Sequence, residues 1–486
     1  MAMDWTLIKT VITAVYLLNV AAAILTVFRE KRDIAATWAW LLVLNLLPLV
    51  GFALYYVFGR KLSHRQLDLV RAQPHAELNK VLARQQELVP RPAASDSQME
   101  ATAKNMITLF QNTDQSFVTT NNQVGVFTDG PALFDDLRRE IAAAEHSVFV
   151  EFYTFYGDAL GASVLAALVA AAESGVAVYV LYDAWGSLGV KAAFFDPLRA
   201  AGGHVEPFLG VHHRADFRLN FRNHRKIVAI DGWTGYIGGF NIGDQYVGRA
   251  KKFGAWRDTH LKVEGDAALA LQQQFIRDWN ATAGAAQQLD INRTHFPKAN
   301  NGLGTAMMQI VASGPQNDLA QIKLGYMKMI NAARVSLDIQ TPYLIPDESV
   351  LTSLRTAIHS GVRVRIMIPH MPDHAFVYRA SQYYARGLAQ DGAEIYFYEA
   401  GFLHAKVMVV DSAIASVGSA NMDFRSFGLN FEANAFVYDH ALATQLEAIF
   451  TADVAKSRRV TPADFAAMPR WLRFKQTFSR LISPIL

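Results

Sequence analysis

Cysteine is absent from the 486 residues of this chain. Its absence excludes disulfides, thiolate nucleophiles and cysteine-ligated metal sites, and it leaves the redox compartment open. A charge excess is missing as well, since 46 basic residues stand against 43 acidic ones and the formal net charge is only +3. The totals therefore indicate no excess of positive charge of the kind that attracts nucleic acid. A chain of this length has room for two domains and further segments.

Charged residues are also missing from two apolar stretches near the N-terminus, residues 10–28 and 34–59. Tryptophans and tyrosines lie within the second stretch, as they do at membrane interfaces. The pattern predicts a transmembrane helical hairpin over residues 1–61. Two buried core helices are the alternative, and a signal peptide is a further one for the first stretch. Asn19 and Asn45 would bond across the hairpin or face the protein.

A hairpin places both of its ends on one side of the membrane. Five basic residues flank it and three occupy its connecting loop. The positive-inside rule therefore favours a cell-membrane protein whose catalytic region is cytoplasmic.

One motif occurs twice in the rest of the chain, as NHRKIVAID and as LHAKVMVVD. Each copy has a histidine, one residue, a lysine, four residues and an aspartate, and an asparagine follows seventeen residues after the histidine. The residues are His224, Lys226, Asp231 and Asn241 in the first copy and His404, Lys406, Asp411 and Asn421 in the second. A single His-x-Lys is usually a surface accident, but two matched copies indicate a duplicated functional site.

These residue types suit phosphoryl transfer. In an extended segment the histidine and lysine project from the same face, because strand side chains alternate with period two. A neutral imidazole can attack phosphorus, and a second, protonated imidazole can give a proton to the leaving oxygen. Lysines and asparagine amides would stabilise the charge on the phosphoryl oxygens. Asp231 and Asp411 would repel phosphate, so a salt bridge or a turn cap is the expected role of both.

The two motifs resemble the signature of the phospholipase D superfamily, HxKxxxxD followed by GGxN or GSxN. The resemblance extends to WRDTH around Asp258 and NFEAN around Glu432. It implies that each acidic residue orients the histidine of its own half, Asp258 for His224 and Glu432 for His404. Within the superfamily, the segments TPYLIPDE, GFLHAKVMVVD and GSANMDFRSFGLNFE are similar to the bacterial cardiolipin synthases, and the similarity covers nearly the whole chain.

The resemblance implies a membrane-bound phosphatidyltransferase that condenses two phosphatidylglycerol molecules to cardiolipin and glycerol. By family analogy His224 is the nucleophile that becomes covalently phosphorylated, and His404 is the general acid and then the general base. Neither a metal nor another cofactor is expected. The expected partners are phosphatidylglycerol and cardiolipin in the membrane and no nucleic acid, with homo-oligomerisation left open. A phospholipid hydrolase, a nuclease and a catalytically silent lipid-binding scaffold are the alternatives.

The segment HHRADFRLNFRNHRK ahead of the first motif is rich in cations, which are His212, His213, Arg214, Arg218, Arg222 and Arg225. It is a solvated basic loop or a site for the second phosphate of an anionic lipid. Arg214, Arg218 and Arg222 are the candidates for substrate binding, together with Gly239 and Ser419 of the glycine-bounded loops. The stretch AEIYFYEAGFLH before the second motif is apolar and would line a passage for acyl chains. Tyr153 and Tyr343 are expected in the core or the cleft wall.

The two motifs lie in an internal repeat, since AAAEHSVFVEFYTF echoes NAARVSLDIQTPYL and ESGVAVYVLYD echoes HSGVRVRIMIP. Strands alternate with helices in both copies, which predicts the α/β class. The expected architecture is two phospholipase D-like α/β sandwich domains with mixed sheets, related by a pseudo-twofold axis with the active site between them. The expected limits are 1–61 for the hairpin, 62–116 for a polar, partly helical linker, 117–284 and 302–464 for the two halves, and 466–486 for an amphipathic helix. That helix would lie at a membrane interface or pack on the catalytic domain.

Overall fold

The computed structural model describes residues 5–28, 34–47, 50–59, 97–209, 221–283, 287–289, 304–317 and 319–482. The chain divides into two compact units. The first contains residues 1–67 and 211–221, and the second contains residues 68–210 and 222–486.

The first unit is a pair of helices with a short continuation. Its elements are α1 (Trp5–Phe28), α2 (Ile34–Leu46), α3 (Val50–Leu54) and a π-helical turn (Tyr55–Gly59). Asn19 donates a hydrogen bond to the carbonyl of Leu44 over 3.0 Å, so this side chain joins α1 to α2. Asn45 instead donates to the carbonyl of Leu41 in its own helix. Over the described positions, no helix has the length and apolar character that crossing a membrane requires.

The second unit contains one large sheet and the helices that cover it. Its strands are β1 (Val118–Phe127), β2 (Ser147–Phe152), β3 (Ala177–Tyr182), β4 (His204–Pro207), β5 (Lys226–Ile230), β6 (Thr234–Gly238), β7 (Trp256–Arg257), β8 (His260–Glu264), β9 (Ala306–Ser313), β10 (Ser336–Gln340), β11 (Leu344–Ile345), β12 (Arg363–Pro369), β13 (Glu394–Tyr398), β14 (Phe402–Leu403), β15 (Val407–Val410), β16 (Ile414–Gly418), β17 (Met422–Asp423), β18 (Glu432–Val437) and β19 (Ser457–Val460). Its α-helices are α4 (Gln98–Asp114), α5 (Gly130–Ala142), α6 (Ala159–Glu173), α7 (Asp196–Ala200), α8 (Asp266–Thr282), α9 (Gln321–Ala332), α10 (Glu348–His359), α11 (Ala375–Asp391), α12 (Phe424–Gly428), α13 (His440–Val454), α14 (Pro462–Ala467) and α15 (Arg470–Ile482). Short 3₁₀ helices span Ala192–Phe195 and Asp244–Val247.

The strand order of the sheet displays the internal repeat. Fifteen strands follow the order β19-β13-β12-β10-β15-β16-β18-β9-β1-β8-β6-β5-β2-β3-β4. Moving outward from the central pair β9 and β1, equivalent strands of the two halves appear in the same sequence, and β19 is an addition at one edge. Strands β2, β3 and β4 are parallel, as are β10, β12 and β13, whereas β5, β6 and β8 pair antiparallel. The α/β class with a mixed sheet is confirmed.

The two halves are fused more closely than two separate sandwiches would be. Strand β1 pairs antiparallel with β9, so one sheet runs through both halves. A buried apolar cluster contains Ile227 and Leu271 of the first half together with Val409 and Phe450 of the second. Because the halves share backbone hydrogen bonds and a core, they form a single compact unit.

The segment before the first half contains a structured part. Helix α4 begins with a capping box formed by Ser97 and Glu100, and its apolar side chains Met106 and Phe110 are buried in the core of the second half. This helix occupies residues 98–114 of the predicted linker 62–116, of which residues 62–96 lie outside the described part of the chain. The apolar spacing along α4 accounts for its docking, because it places these side chains on one face.

Candidate active site

The first histidine of the repeated motif pairs with a carboxylate. Nδ1 of His224 lies 2.9 Å from Oε2 of Glu432, and both side chains are buried. Burial lowers the pKa of His224 to about 4, although the charge of Glu432 acts in the opposite direction. Glu432 keeps a pKa below its usual value: burial raises it, but interactions with His224 and Lys226 outweigh that effect. Since Nδ1 faces the carboxylate, Nε2 is the nitrogen available to a substrate.

The second histidine has an equivalent partner. Nδ1 of His404 lies 2.7 Å from Oδ2 of Asp258, and both residues are buried. Burial, and then the charge of Lys406, lower the pKa of His404 to about 4. The pKa of Asp258 is lowered overall, because Lys406 and His404 outweigh the effect of burial. Both imidazoles are therefore neutral at neutral pH while the site holds no anion.

The prediction that each carboxylate orients the histidine of its own half was wrong. Glu432 of the second half holds His224 of the first, and Asp258 of the first half holds His404 of the second. The backbone explains the exchange. The amide of His224 donates to the carbonyl of Phe431 over 2.9 Å, and the amide of His404 donates to that of Arg257 over 2.7 Å.

The backbone segment that carries each histidine therefore pairs with a segment of the opposite half. The residue that accepts the hydrogen bond lies one position before the carboxylate. Strand β14 pairs parallel with β7, and an isolated parallel bridge joins Asn223 to Phe431. The separation in sequence between a histidine and a carboxylate of the same half carries no information about this pairing. Neither half contains a complete dyad by itself.

The two motif lysines are buried beside the histidines. Nζ of Lys226 donates to the carbonyl of His224 over 2.6 Å. Nζ of Lys406 bonds to the carbonyl of His404 and also lies 2.8 Å from its Nδ1. Burial lowers the pKa of Lys226 to about 7 and that of Lys406 to about 8. The lysines are thus poised to gain or lose a proton near neutral pH.

One cavity of about 820 Å³ brings the two half-sites together. His224, His404, Asn241 and Asn421 all line it. Asn241 accepts a hydrogen bond from the amide of Thr154 over 3.1 Å and donates to the hydroxyl of Tyr246 over 3.3 Å. Among the described residues, the side-chain oxygen of Asn421 has no hydrogen-bond partner. The arrangement offers two imidazoles and two side-chain amides to one ligand.

Aromatic rings form the walls beside the imidazoles. The ring of Tyr153 lies 5.1 Å from that of His224, and the ring of Trp256 lies 5.1 Å from that of His404. Tyr343 lines the cavity and donates a short hydrogen bond to Asp373. Both predicted cleft-wall tyrosines therefore lie at the cavity. Within the described ranges, no group of three or more histidine, aspartate and glutamate side chains is placed to hold a metal ion.

Comparisons with known proteins agree with this geometry. A family model described as "Cardiolipin synthase, PLD-like domain" matches residues 137–279 and 326–454, and a model described as "Phospholipase_D-nuclease N-terminal" matches residues 17–60. The chain is 46% identical to the cardiolipin synthase of Listeria innocua, over 99% of this chain and 100% of that protein. It is 45% identical to the major cardiolipin synthase of Bacillus subtilis, over 97% and 98% of the two chains.

The chain belongs to the cardiolipin synthase family with phospholipase D-like domains. Among solved structures, the phosphatidylserine synthase of Haemophilus influenzae superposes with a TM-score of 0.61. The identity is 14%, and the match covers 80% of this chain and all of that one. A similarity this distant shows the fold.

The aspartates of the two family motifs hold backbone, not substrate. Asp231 accepts hydrogen bonds from the amides of Glu145, His146 and Ser147 over 2.7 to 2.8 Å. Asp411 accepts equivalent bonds from residues 334 to 336. A strand rises about 3.3 Å per residue, so each aspartate lies on the order of 20 Å along the chain from its histidine. The expected turn cap describes both residues, and neither contacts the reacting groups.

The residues two positions before the motif asparagines, Gly239 and Ser419, lie against the carboxylates of Asp258 and Glu432. A methyl group at Gly239 would lie 2.0 Å from Oδ1 of Asp258, so only glycine leaves room for that carboxylate. Ser419 donates from Oγ to Oε2 of Glu432 over 2.5 Å and accepts from the amide of Ala433 over 3.0 Å. Both residues thus position a carboxylate, and their assignment to substrate binding stays a prediction.

The basic segment ahead of the first motif divides into three parts. Arg214 and Arg218, with His212 and His213, lie outside the described residues. Arg222 lines the cavity, with its guanidinium 5.0 Å from the ring centre of Trp185. Arg225 is fully buried and forms an ion pair with Asp278, so it does not belong to a solvated loop.

Sequence comparison of the repeats missed the residues that make the cavity unsymmetrical. Arg425 lines the cavity at the position that Gln245 has in the first half. Asn430 and Trp256 are likewise equivalent, each two residues before a carboxylate, and both line the cavity. Aligning the two motifs in the sequence shows these exchanges. Their significance emerges only when all four side chains are found around one volume.

Proposed function

We propose that this chain condenses two phosphatidylglycerol molecules to cardiolipin and glycerol through a covalent phosphatidyl-histidine. The observation that carries the proposal is the pair of histidine–carboxylate dyads lining one cavity, in a chain that aligns over its whole length with cardiolipin synthases. Two imidazoles at one phosphorus permit two successive displacements, and the products keep the number of phosphodiester bonds unchanged.

In the first displacement, Nε2 of neutral His224 attacks the phosphorus of one phosphatidylglycerol. The bond from phosphorus to the glycerol oxygen breaks, and protonated His404 gives its proton to that oxygen. Glu432 holds the ring of His224 and stabilises the positive charge that develops on it. The products of this step are glycerol and the phosphatidyl-histidine.

In the second displacement, His404 takes a proton from a free glycerol hydroxyl of the second phosphatidylglycerol. The hydroxyl oxygen attacks phosphorus, and the bond to Nε2 of His224 breaks. His404 ends the cycle protonated, as it began. Asp258 favours that charged form, whereas burial in the ligand-free site opposes it, so the proton on His404 is stabilised when an anionic phosphodiester enters.

Cations and amides of the site match the charge on the transferred group. Lys226 and Lys406 are buried and bond to the backbone carbonyls of the two histidines, and Asn241 and Asn421 line the cavity. Fixed charges and dipoles of this kind stabilise phosphoryl oxygens without reorganising during the reaction. The proposal therefore includes neither a metal nor another cofactor.

A second phosphate has a place in the same cavity. Arg222 of the first half and Arg425 of the second both line it. The charges of both guanidinium groups act to lower the pKa of Tyr153, whose ring lies beside His224. Planar guanidinium groups bind phosphate oxygens in a bidentate way. We assign these arginines to the phosphodiester of the lipid that is not undergoing displacement, with Arg214 and Arg218 as further candidates from the same segment.

The apolar part of the cavity suits acyl chains. Its lining includes Trp185, Leu188, Phe253, Ile345, Phe376, Val377 and Phe424. Apolar walls favour lipid and exclude water from the covalent intermediate, which is the condition that separates a transferase from a hydrolase.

The last part of the proposal concerns the location of the protein in the cell. We place the apolar sequence segments 10–28 and 34–59 in the cell membrane as two spans with the catalytic region on the cytoplasmic side, and we leave the oligomeric state open.

The test is the fate of labelled phosphatidylglycerol with the purified chain in detergent, in the presence of EDTA. Thin-layer separation is expected to show cardiolipin and glycerol. His224→Ala and His404→Ala should each abolish both products, and His359→Ala, an exposed histidine on α10, is the matched control. Phosphatidic acid without cardiolipin would establish a hydrolase instead. Absence of any lipid product, with cleavage of nucleic acid, would replace the proposal by a nuclease.

A further inference from the structure

The C-terminal helix α15 is amphipathic, as its sequence indicates, but it is docked with its polar side inward. Gln476 and Ser479 are buried. The large apolar side chains point away from the protein, with exposed fractions of 63% for Trp471, 58% for Phe474, 48% for Phe478 and 65% for Leu481. Water imposes the opposite orientation on an amphipathic helix of a globular protein.

Specific hydrogen bonds fix this orientation. Gln476 donates from Nε2 to Oε1 of Gln382 on α11 over 3.1 Å. Arg386, one turn further along α11, donates to Oε1 of Gln476 over 3.5 Å. The guanidinium of Arg480 lies 5.2 Å from the ring centre of Tyr383 on the same helix. Because polar contacts hold the helix on the protein, its apolar face is left for a different partner.

The charges of α15 identify the kind of partner. Besides Arg480, which packs on Tyr383, the helix contains Arg470, Arg473 and Lys475 and no acidic residue. Basic residues around an exposed aromatic face match an anionic lipid surface, where rings enter the headgroup region and cations meet phosphate. Trp471 and Phe474 stack with their ring centres 5.3 Å apart, which presents one flat apolar area.

Helix α11 connects this face to the cavity. Its first residues, Ala375, Phe376 and Val377, line the cavity, and its middle carries Gln382 and Arg386, which hold α15. The side chain of Phe376 is 46% exposed. The outward face of α15 is therefore connected through one helix to residues that line the cavity.

We propose that the outward face of α15, formed by Trp471, Phe474, Phe478 and Leu481, docks on an anionic lipid bilayer and holds the cavity at the membrane surface. The choice of lipid as the occupant rests on the proposed function. The binding itself does not depend on turnover, so it is measured separately from activity.

The absence of native cysteine makes the test direct, because one introduced cysteine gives one labelled site. Phe474→Cys and Phe478→Cys are spin-labelled in the full chain and reconstituted in vesicles of phosphatidylglycerol and phosphatidylcholine. Ser174→Cys, exposed at the end of α6, is the matched control. Docking predicts that labels on α15 collide with oxygen, which concentrates in lipid, more than with a water-soluble nickel chelate, and that the control shows the reverse.

Two results would overturn the proposal. Labels on α15 that meet the nickel chelate as readily as the control would show a face exposed to water. Labels that are shielded from both reagents, or that couple magnetically between chains, would show that protein covers the face. Both results leave the proposed reaction untouched, because the His224→Ala and His404→Ala comparison tests that reaction independently.

A functional measurement complements the labels. Phe474→Glu combined with Phe478→Glu should lower activity on vesicles at least about tenfold. The reason is that removing two aromatic anchors weakens membrane affinity by more than about tenfold. Activity on phosphatidylglycerol in detergent micelles should stay unchanged. Val335→Glu, which alters an apolar side chain that is 71% exposed elsewhere, is the matched control. Equal losses on vesicles and micelles would contradict a docking role.

Discussion

Arg257 of the first half donates from Nε to Oδ2 of Asp453 in the second half over 2.8 Å, and both side chains are buried. Arg257 immediately precedes Asp258, which holds His404. Its guanidinium also bonds to the hydroxyl of Thr259 over 2.9 Å. The ion pair therefore fixes, across the junction of the halves, the segment that carries one of the two carboxylates.

Replacing Arg257 alone should be more damaging than replacing the pair. Arg257→Met leaves the buried Asp453 with only the partly exposed Lys456 at 3.9 Å among the described cations, which costs up to about 3 to 5 kcal/mol of unfolding free energy. Arg257→Met combined with Asp453→Leu removes both charges and should recover much of that loss, as a double-mutant cycle in denaturant would show. A double variant destabilised by the sum of the two single effects would mean that the pair does not interact energetically.

The crossed dyads predict different defects for the two carboxylates. Glu432→Gln should impair His224 and Asp258→Asn should impair His404, each lowering kcat by roughly 10² to 10⁴, as in other histidine–carboxylate pairs. If the proposed roles hold, Glu432→Gln blocks formation of the phosphatidyl-enzyme. Asp258→Asn allows the enzyme to form it slowly and delays its transfer.

Rapid quenching with labelled phosphatidylglycerol distinguishes the two variants by the amount of lipid bound to protein. The opposite pattern, with lipid accumulating on protein only in Glu432→Gln, would exchange the roles of the two histidines. Asp411→Asn is a suitable comparison, because its carboxylate belongs to the same motif and accepts hydrogen bonds from three backbone amides.

Arg425 should act on lipid binding more than on chemistry. Arg425→Gln installs the residue found at the equivalent position 245 of the first half. Loss of one arginine–phosphate contact is worth about 1.5 to 3 kcal/mol, so KM should rise on the order of tenfold or more with a smaller change in kcat. Steady-state kinetics on mixed micelles would measure the effect, with Arg355→Gln on α10 as control. A fall in kcat at constant KM would exclude this role.

Activity should decline on the alkaline side of neutrality. Burial lowers the pKa of Lys226 to about 7 and that of Lys406 to about 8, so their ammonium groups lose protons as the pH rises through this range. The positive charge near the phosphoryl group is then lost, and kcat/KM for the free enzyme should fall. A pH–rate profile on micellar phosphatidylglycerol would show the decline, and a profile that is flat from pH about 6 to 9 would contradict it.

The same lysines make stability depend on pH with a defined sign. An unfolded lysine keeps its proton up to about pH 10.4, whereas the buried lysines release theirs near pH 7 to 8. Between these values the unfolded chain binds more protons, so this contribution to the free energy of unfolding rises with pH. Lys226→Met should reduce that slope in denaturant titrations at several pH values. An unaltered slope would show that Lys226 titrates normally.

The motif aspartates should matter for stability and not for chemistry. Asp231→Ala removes the acceptor of three backbone hydrogen bonds and should cost about 2 kcal/mol or more of unfolding free energy. The fraction of the variant that remains folded should keep its kcat. Active-site titration would give kcat per functional site, and thermal unfolding would give the loss of stability. A large loss of kcat in fully folded Asp231→Ala would place the residue in the reaction.

Much of the fold followed from local patterns. The apolar runs of β5 and β15, the helices between the parallel strands and the repetition of both predicted an α/β architecture in two related copies. These features depend on neighbouring residues, because side-chain periodicity and turn chemistry act over a few positions. The fusion of both halves into one sheet was not predicted, since pairing of β1 with β9 joins segments that are remote in the chain.

The amino-acid sequence by itself determined the chemistry of this protein. It supplies two histidines, two lysines and two asparagines in matched motifs, and the absence of cysteine excludes thiolate chemistry. Tertiary structure alone decided that Glu432 serves His224 and Asp258 serves His404, that Arg425 faces the cavity, and that α15 turns its apolar side outward. The reason is physical. A motif depends on bonds along the chain, whereas these partners are chosen by backbone pairing and packing between segments far apart in sequence.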